Sequence, residues 1–368
     1  MRKLSLMTLG LILTFLLAGN FAMGATEVKV GKGDLKIGGI LQAGFTYNME
    51  DETGFDSFTL NRARFLFWGT IIPDKVKYFV QLDHRGGTSV LDYKAQFFYI
   101  EKTEIAVGRF LPNFTMYMPL STAKLEMINY PLTTLRFAVW RQVGIQSTTK
   151  TDYVDFNLGI FNGYPANNFT DDNDAKDFFG RVEIKPPIEQ ATVRFGGYGW
   201  IGSALPSLSE TVVDTIPVEN ADDDTLYFTR YVTTTLPEET LKRNRFGGFA
   251  TVDYTKDEMT LRFRGEFLMA ESEKLTGHTM DDVVSVDAQA FFAHVGIQPR
   301  KEVEFLARYD FHDPNTDMDD DGETWITGGV NYYMEGINAM LYLNYIHKME
   351  QGDEIDNDLV QAQVQITF

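Results

Sequence analysis

From residue 33 onward the chain alternates apolar and polar side chains one by one through most of its length. In the stretch 303–309, Val303, Phe305, Ala307 and Tyr309 share one face of an extended chain, with Glu304 and Arg308 on the other. The same period of two sets Val154, Phe156, Leu158 and Ile160 against Asp155 and Asn157. It sets Phe246, Ala250, Val252 and Tyr254 against Arg243 and Arg245, and Ile337, Ala339, Leu341, Leu343 and Tyr345 against Asn338 and Asn344. Strand-like runs fall at 33–47, 57–71, 75–84, 92–101, 104–110, 139–148, 153–161, 177–185, 191–201, 242–254, 259–270, 284–297, 302–311, 324–333, 337–347 and 358–368. They number sixteen, an even count.

Seven connections are short: 72–74, 102–103, 149–152, 186–190, 255–258, 299–301 and 334–336. Long ones fall between them, notably 111–138, 162–176, 202–241, 271–283, 312–323 and 348–357. Alternation of tight turns with long loops is expected of a membrane barrel with a periplasmic and an external rim. A soluble sandwich or β-helix has no reason for it. All twelve prolines fall in connections or at strand ends, where a missing N–H breaks no ladder. The fold expected is an all-β transmembrane antiparallel β-barrel of about 16 strands.

The two ends agree. Val360, Ala362, Val364, Ile366 and Phe368 alternate with Gln361, Gln363, Gln365 and Thr367, as in a strand between lipid and a wet lumen. The segment resembles the closing strand of bacterial porins, and that resemblance implies that Phe368 is part of the signal read by the barrel-assembly machinery. At the other end, Arg2 and Lys3 precede an apolar core at 9–17, and Ala22-Met23-Gly24 offers small residues for cleavage. Residues 1–24 are thus expected to be a secretory signal peptide and 25–368 a single barrel domain. No later stretch approaches the roughly 20 apolar residues of a helical span, so membrane residence must be by barrel.

Composition narrows the partners. Aromatics make up 14% of the chain and glycines number 31, while a mean hydropathy of -0.19 is far too polar for a helical membrane protein. There is no Cys, which removes disulfides and thiolate chemistry. Loss of residues 1–24, which carry two bases and no acid, takes the formal net charge from -19 to -21, which argues against nucleic acid.

The order and spacing of several runs carry a family resemblance. Phe58-Thr59-Leu60-Asn61-Arg62-Ala63-Arg64-Phe65 leads to Gly69; Lys77-Tyr78-Phe79-Val80-Gln81-Leu82-Asp83 follows; then come Ile105-Ala106-Val107-Gly108-Arg109-Phe110 and Arg141-Gln142-Val143-Gly144-Ile145-Gln146. Together they resemble the phosphate-selective porin O and P family, most clearly over residues 33–185. The resemblance implies a sixteen-stranded outer-membrane barrel, a homotrimer, and an inward-folded third loop narrowing an anion-selective channel.

The charge layout bears on selectivity. Arg62 and Arg64 share a face opposite Ala63, Phe65 and Phe67; Arg243 and Arg245 oppose Phe246; Arg262 and Arg264 alternate with Leu261 and Phe263. A guanidinium stays charged and grips phosphate or carboxylate with a planar fork, so these pairs suit an anion pathway. Equally, they suit bracing of the wall by Asp83, Glu183, Asp253, Glu266 and Glu304. The connection 111–138 is long and unusually apolar, with Phe114, Met116, Tyr117, Met118, Leu120, Leu125, Met127, Ile128 and Tyr130, and so must bury itself, inside the barrel or against a trimer neighbour. Its charged members are Lys124, Glu126 and Arg136. The candidate pathway for small anions thus comprises Arg62, Arg64, Arg109, Lys124, Arg136, Arg243, Arg245, Arg262 and Arg264.

Acid dominates the long connections: Glu50 to Glu52, Asp171, Asp172, Asp174, Asp222 to Asp224, Asp317, Asp319 to Asp321, Glu350 and 353–358. That departs from an anion-attracting mouth and favours a general or cation-preferring channel, although salt screens such a field beyond about 8 Å. The run 317–323 does not keep the calcium-loop spacing, so it is expected to be a solvated loop, a place for divalent bridges to lipopolysaccharide. His84, His278, His294, His312 and His347 are scattered, and neither a nucleophile elbow nor a phosphate loop occurs. Neither catalysis nor a metal or cofactor is expected. The aromatics Trp325, Tyr332, Tyr333 and Tyr345 are expected at the membrane interface.

Overall fold

The computed structural model describes residues 26–50, 56–163, 169–206, 213–219, 225–231, 239–276, 280–352 and 356–368. The expected signal peptide, and parts of the acidic loops around 51–55, 222–224 and 353–355, lie outside the described residues.

Sixteen strands form the barrel wall: β1 (Gly33–Asn48), β2 (Ser57–Ile72), β3 (Val76–Asp83), β4 (Ser89–Ile100), β5 (Thr103–Phe110), β6 (Gln142–Lys150), β7 (Val154–Phe161), β8 (Asp177–Ile184), β9 (Ala191–Ile201), β10 (Leu241–Lys256), β11 (Met259–Leu275), β12 (Val283–Arg300), β13 (Val303–Asp313), β14 (Glu323–Tyr333), β15 (Ala339–Glu350) and β16 (Leu359–Thr367). Each pairs antiparallel with its neighbours, and β16 returns to β1 from Leu359 opposite Asn48 to Thr367 opposite Ile40. Closure satisfies every strand's backbone groups within the sheet, which a lipid environment demands. Among the described residues no helix is long and apolar enough to cross a membrane.

Burial inverts the usual order for a soluble protein. On β13, Phe305 (52% exposed) and Tyr309 (40%) point outward, whereas Glu304, Arg308 and Asp310 are buried inside. On β7, Leu158 is 66% exposed while Asn157 is buried. An apolar exterior around a polar interior is stable only where the exterior faces hydrocarbon.

Short turns lie on one rim. Asp74, Lys102 and Asp257 adopt φ of 58°, 58° and 54° there, the left-handed geometry that lets two- and three-residue hairpins follow the twist of their strands. The start of β1 and the end of β16 meet at this rim. Gly39 N–H donates to the Phe368 carbonyl at 2.9 Å, Phe368 N–H donates back at 3.2 Å, and a Cβ on Gly39 would fall 2.5 Å from the Phe368 ring. Glycine is what lets the terminal ring lie against β1.

Four details differ from the sequence expectation. A short strand, Thr26–Val30, pairs with the start of β1. The connection 202–241 contains a hairpin of Val213–Glu219 with Thr225–Tyr231, so Pro217 sits within a strand, which a two-stranded edge tolerates. β6 begins at Gln142 rather than 139, because Trp140 takes a φ of 48° that breaks the extended chain. Trp325 and Tyr333 do not sit at the interface. Trp325 alternates with outward Ile326, under Lys348 at 5.3 Å, and the Tyr333 hydroxyl donates to Glu304 within the bore.

Candidate functional site: the barrel interior

The connection 111–138 packs inside the barrel. It carries a 3-10 turn (Thr122–Lys124) and one short helix, α1 (Leu132–Phe137). Phe114, Met116, Tyr117, Met118, Leu125, Tyr130 and Phe137 form one apolar cluster with wall residues Phe161, Phe179, Tyr198, Trp200, Phe249, Leu268 and Phe292. Those wall residues occupy inward positions of β7 to β12, so this half of the inner face is apolar where the loop rests. Burying each large side chain contributes about 1.5–3 kcal/mol, enough to make the loop part of the core.

Polar contacts fix its position. Buried Glu266 on β11 accepts from Met116 N–H (2.5 Å), the Thr133 hydroxyl (2.7 Å) and the Tyr198 hydroxyl (2.7 Å). Arg181 on β8 donates to the Phe114 and Thr115 carbonyls, and Arg308 on β13 to those of Asn129 and Tyr130. Asp310 accepts from Leu132 N–H and Asn344 from Ile128 N–H, both at 3.0 Å. The Tyr117 hydroxyl donates to Glu126 at 2.8 Å. Burial and the adjacent carboxylate push that phenol well above its ordinary pKa, keeping it a donor.

The two halves of the inner wall differ in charge. On the loop-bearing half, every base named here has a carboxylate partner: Arg181 and Arg194 with Glu183 (2.8 and 3.2 Å), Arg308 with Asp310 (2.6 Å), Arg262 with Glu304, and Arg264 with Asp253 (2.7 Å) and Glu126 (3.1 Å). The other half carries Lys36, Arg62, Arg64, Lys77 and Lys94 on the inner face of β1 to β4 against Asp34, Asp83, Asp92 and, on β5, Glu104, while its long-loop rim adds Arg85 and Arg141 together with the acids Glu50 and Asp56. On the strands themselves five bases face four acids, and Lys36 pairs with Asp34 at 3.7 Å and Lys94 with Glu104 at 4.0 Å. Arg64 and Arg85 share Asp83 (3.4 and 3.1 Å), Arg141 takes Asp92 (3.0 Å), and among the described residues Arg62 has no carboxylate within ion-pair distance.

No protein-family model matches the sequence, and none of the curated proteins matches it. Solved structures do. The anion-selective porin from Comamonas acidovorans superposes with a TM-score of 0.62 at 12% identity, covering 91% of this chain and 100% of that one. The outer-membrane channel DcaP of Acinetobacter baumannii gives 0.62 at 12% identity over 94% and 100%, and the trimer form of OmpT, an outer membrane protein of Vibrio cholerae, 0.59 at 13% over 92% and 100%. The fold is that of the bacterial porins. These neighbours support porin architecture and do not single out the phosphate-selective O and P family.

Within this porin fold the expected pathway residues divide into groups. Arg62 and Arg64 stand together on the base-rich wall, Arg62 5.8 Å from the Tyr130 ring of the loop. Lys124 is exposed at the end of the 3-10 turn, and among the described residues its ammonium has no ion-pair partner. Arg136 is held by Glu323 through two bonds of 2.7 and 2.9 Å, and with Arg243, Arg245, Trp140 and Asp177 it lines a cavity at the long-loop end. Arg262 and Arg264 are the braced pairs described above. Arg109 shares the outward face of Val107, and its guanidinium donates to the Val90 and Leu91 carbonyls where β3 and β4 slip register.

Sequence reasoning missed Arg181 and Arg308 as the clamps of the loop. A signal was present: Arg181-x-Glu183 and Arg308-x-Asp310 put base and acid on one face of a strand, where they must meet. Arg85 and Arg141, in loop positions, gave none. Among the described residues no three His, Asp or Glu side chains are arranged to hold a metal.

Proposed function

We propose that this chain is a homotrimeric outer-membrane porin through which small hydrophilic solutes diffuse, with a preference for anions, phosphate among them. The observation that carries the preference is the cluster of bases on the β1–β4 wall, where Arg62 and Lys77 have no carboxylate at ion-pair distance among the described residues, set against the paired charges named on the other half. Charges in a narrow, partly dehydrated passage act at low effective dielectric, so a few interior cations outweigh a larger acidic total held in screened water at the rim. The anion-selective porin and the trimeric OmpT among the structural neighbours support the reading. The barrel-assembly machinery acting on Phe368, and lipopolysaccharide at the acidic loops, are partners proposed with it.

The acidic long-loop rim favours a second reading, a general or cation-preferring porin. Planar-bilayer recording separates the two: the first reading requires stepwise channel openings in chloride that added phosphate blocks. Openings indifferent to phosphate favour the second, and no openings at all would leave only a structural barrel.

A further inference from the structure

Gln42 on β1 and Gln365 on β16 face each other across the seam where the last strand closes on the first, and they are 1% and 0% exposed. Gln365 Nε2 donates to the Ala123 carbonyl at 3.0 Å and the Ile337 carbonyl at 2.6 Å, while its Oε1 accepts from the Tyr342 hydroxyl at 3.0 Å. Gln42 Nε2 donates to that same Oε1 at 2.6 Å and to the Thr122 carbonyl at 3.3 Å. With both amide donors engaged, the remaining oxygen of Gln42 is turned to Arg62, whose Nη1 donates to it at 2.5 Å.

This relay has two ends. One is the Arg62 guanidinium, which among the described residues has no carboxylate partner; the other is the 3-10 turn that carries Lys124. An acid at position 42 would hold Arg62 more strongly and cancel its charge. An amide oxygen holds it and leaves the charge to the solute.

We infer that Gln42 and Gln365 are positioning residues for selectivity: they aim Arg62 and tether the Thr122–Lys124 turn, so the charge geometry of the passage is completed when β16 closes on β1. The inference rests on the anion-channel reading above.

The test compares the zero-current potential of the full-length trimer in a potassium chloride gradient for wild type and for Arg62→Gln, Gln42→Leu, Gln365→Leu, Gln42→Glu and, as a seam control, Gln363→Leu. Gel mobility before and after boiling verifies that each barrel is closed. Gln42→Leu and Gln365→Leu shift the potential toward cations, with the sign of Arg62→Gln and at least about half its size, and Gln363→Leu leaves it in place. Gln42→Glu, nearly isosteric, shifts it at least as far as Gln42→Leu and decides the matter if the leucine variants fail to close. Closed barrels of Gln42→Leu, Gln365→Leu or Gln42→Glu with wild-type selectivity overturn the inference. A wild type without anion preference, or an unaltered potential in Arg62→Gln, overturns the underlying reading and the inference with it.

Discussion

At the scale of single residues, the interior is organised by which charges are already paired. Arg264 meets Glu126 on the loop and Asp253 on its neighbouring strand, so it braces; Lys124 has no such partner among the described residues and stands exposed. Lys124→Glu is therefore expected to shift the zero-current potential toward cations, whereas neutralising the rim acids Asp319 and Asp320 to Asn changes it much less, because salt screens them. A larger effect from the rim pair would reverse the assignment of control. Glu266 carries the opposite kind of role. Replacing it with Leu leaves Met116 N–H and two hydroxyls without acceptors, a loss of about 3 kcal/mol or more in the seating of the loop. Larger, noisier single-channel conductance is the expected result, and conductance identical to wild type would show that the loop is held without it.

At the scale of elements, legibility followed periodicity. β13 could be read from its letters because every second residue is apolar, and β16 likewise. β12 is less plain, since Phe291 faces out and Phe292 faces in toward Tyr117, two aromatics in succession that only a loop-covered inner wall explains. The connection 111–138 was legible as something buried, being apolar without a period, but the choice among its cations was not. Whether a lumenal Arg is free or braced depends on partners such as Glu126, 138 positions from Arg264, and chain-distant pairing leaves no local mark. The hairpin Val213–Glu219 with Thr225–Tyr231 was hidden by Pro217 and by the acidic stretch between its two strands. The terminal strand yields its own prediction. Deleting Phe368, or changing it to Asp, should lower insertion into the outer membrane while signal cleavage near Gly24 proceeds; undiminished amounts of closed barrel would show that the contact of the terminal ring with Gly39 is incidental.

At the scale of the whole molecule, the barrel is an inside-out protein whose closed ladder leaves no edge to fray. Kept in detergent, it is expected to migrate as a compact or trimeric species on unheated gels and to shift on boiling, with a far-ultraviolet spectrum dominated by β-structure. A helix-dominated spectrum would be incompatible with the sixteen strands. The interior then divides into an apolar half that seats the loop and a polar half with an excess of bases, and the account rests on solutes travelling along the second. The most direct measurement is the zero-current potential of the purified wild-type channel in a tenfold potassium chloride gradient. Chloride is expected to permeate faster than potassium, and to set the sign of the potential, in spite of a formal net charge of -19. A potential of the opposite sign would mean that the acidic rim governs permeation and that the base-rich wall does not.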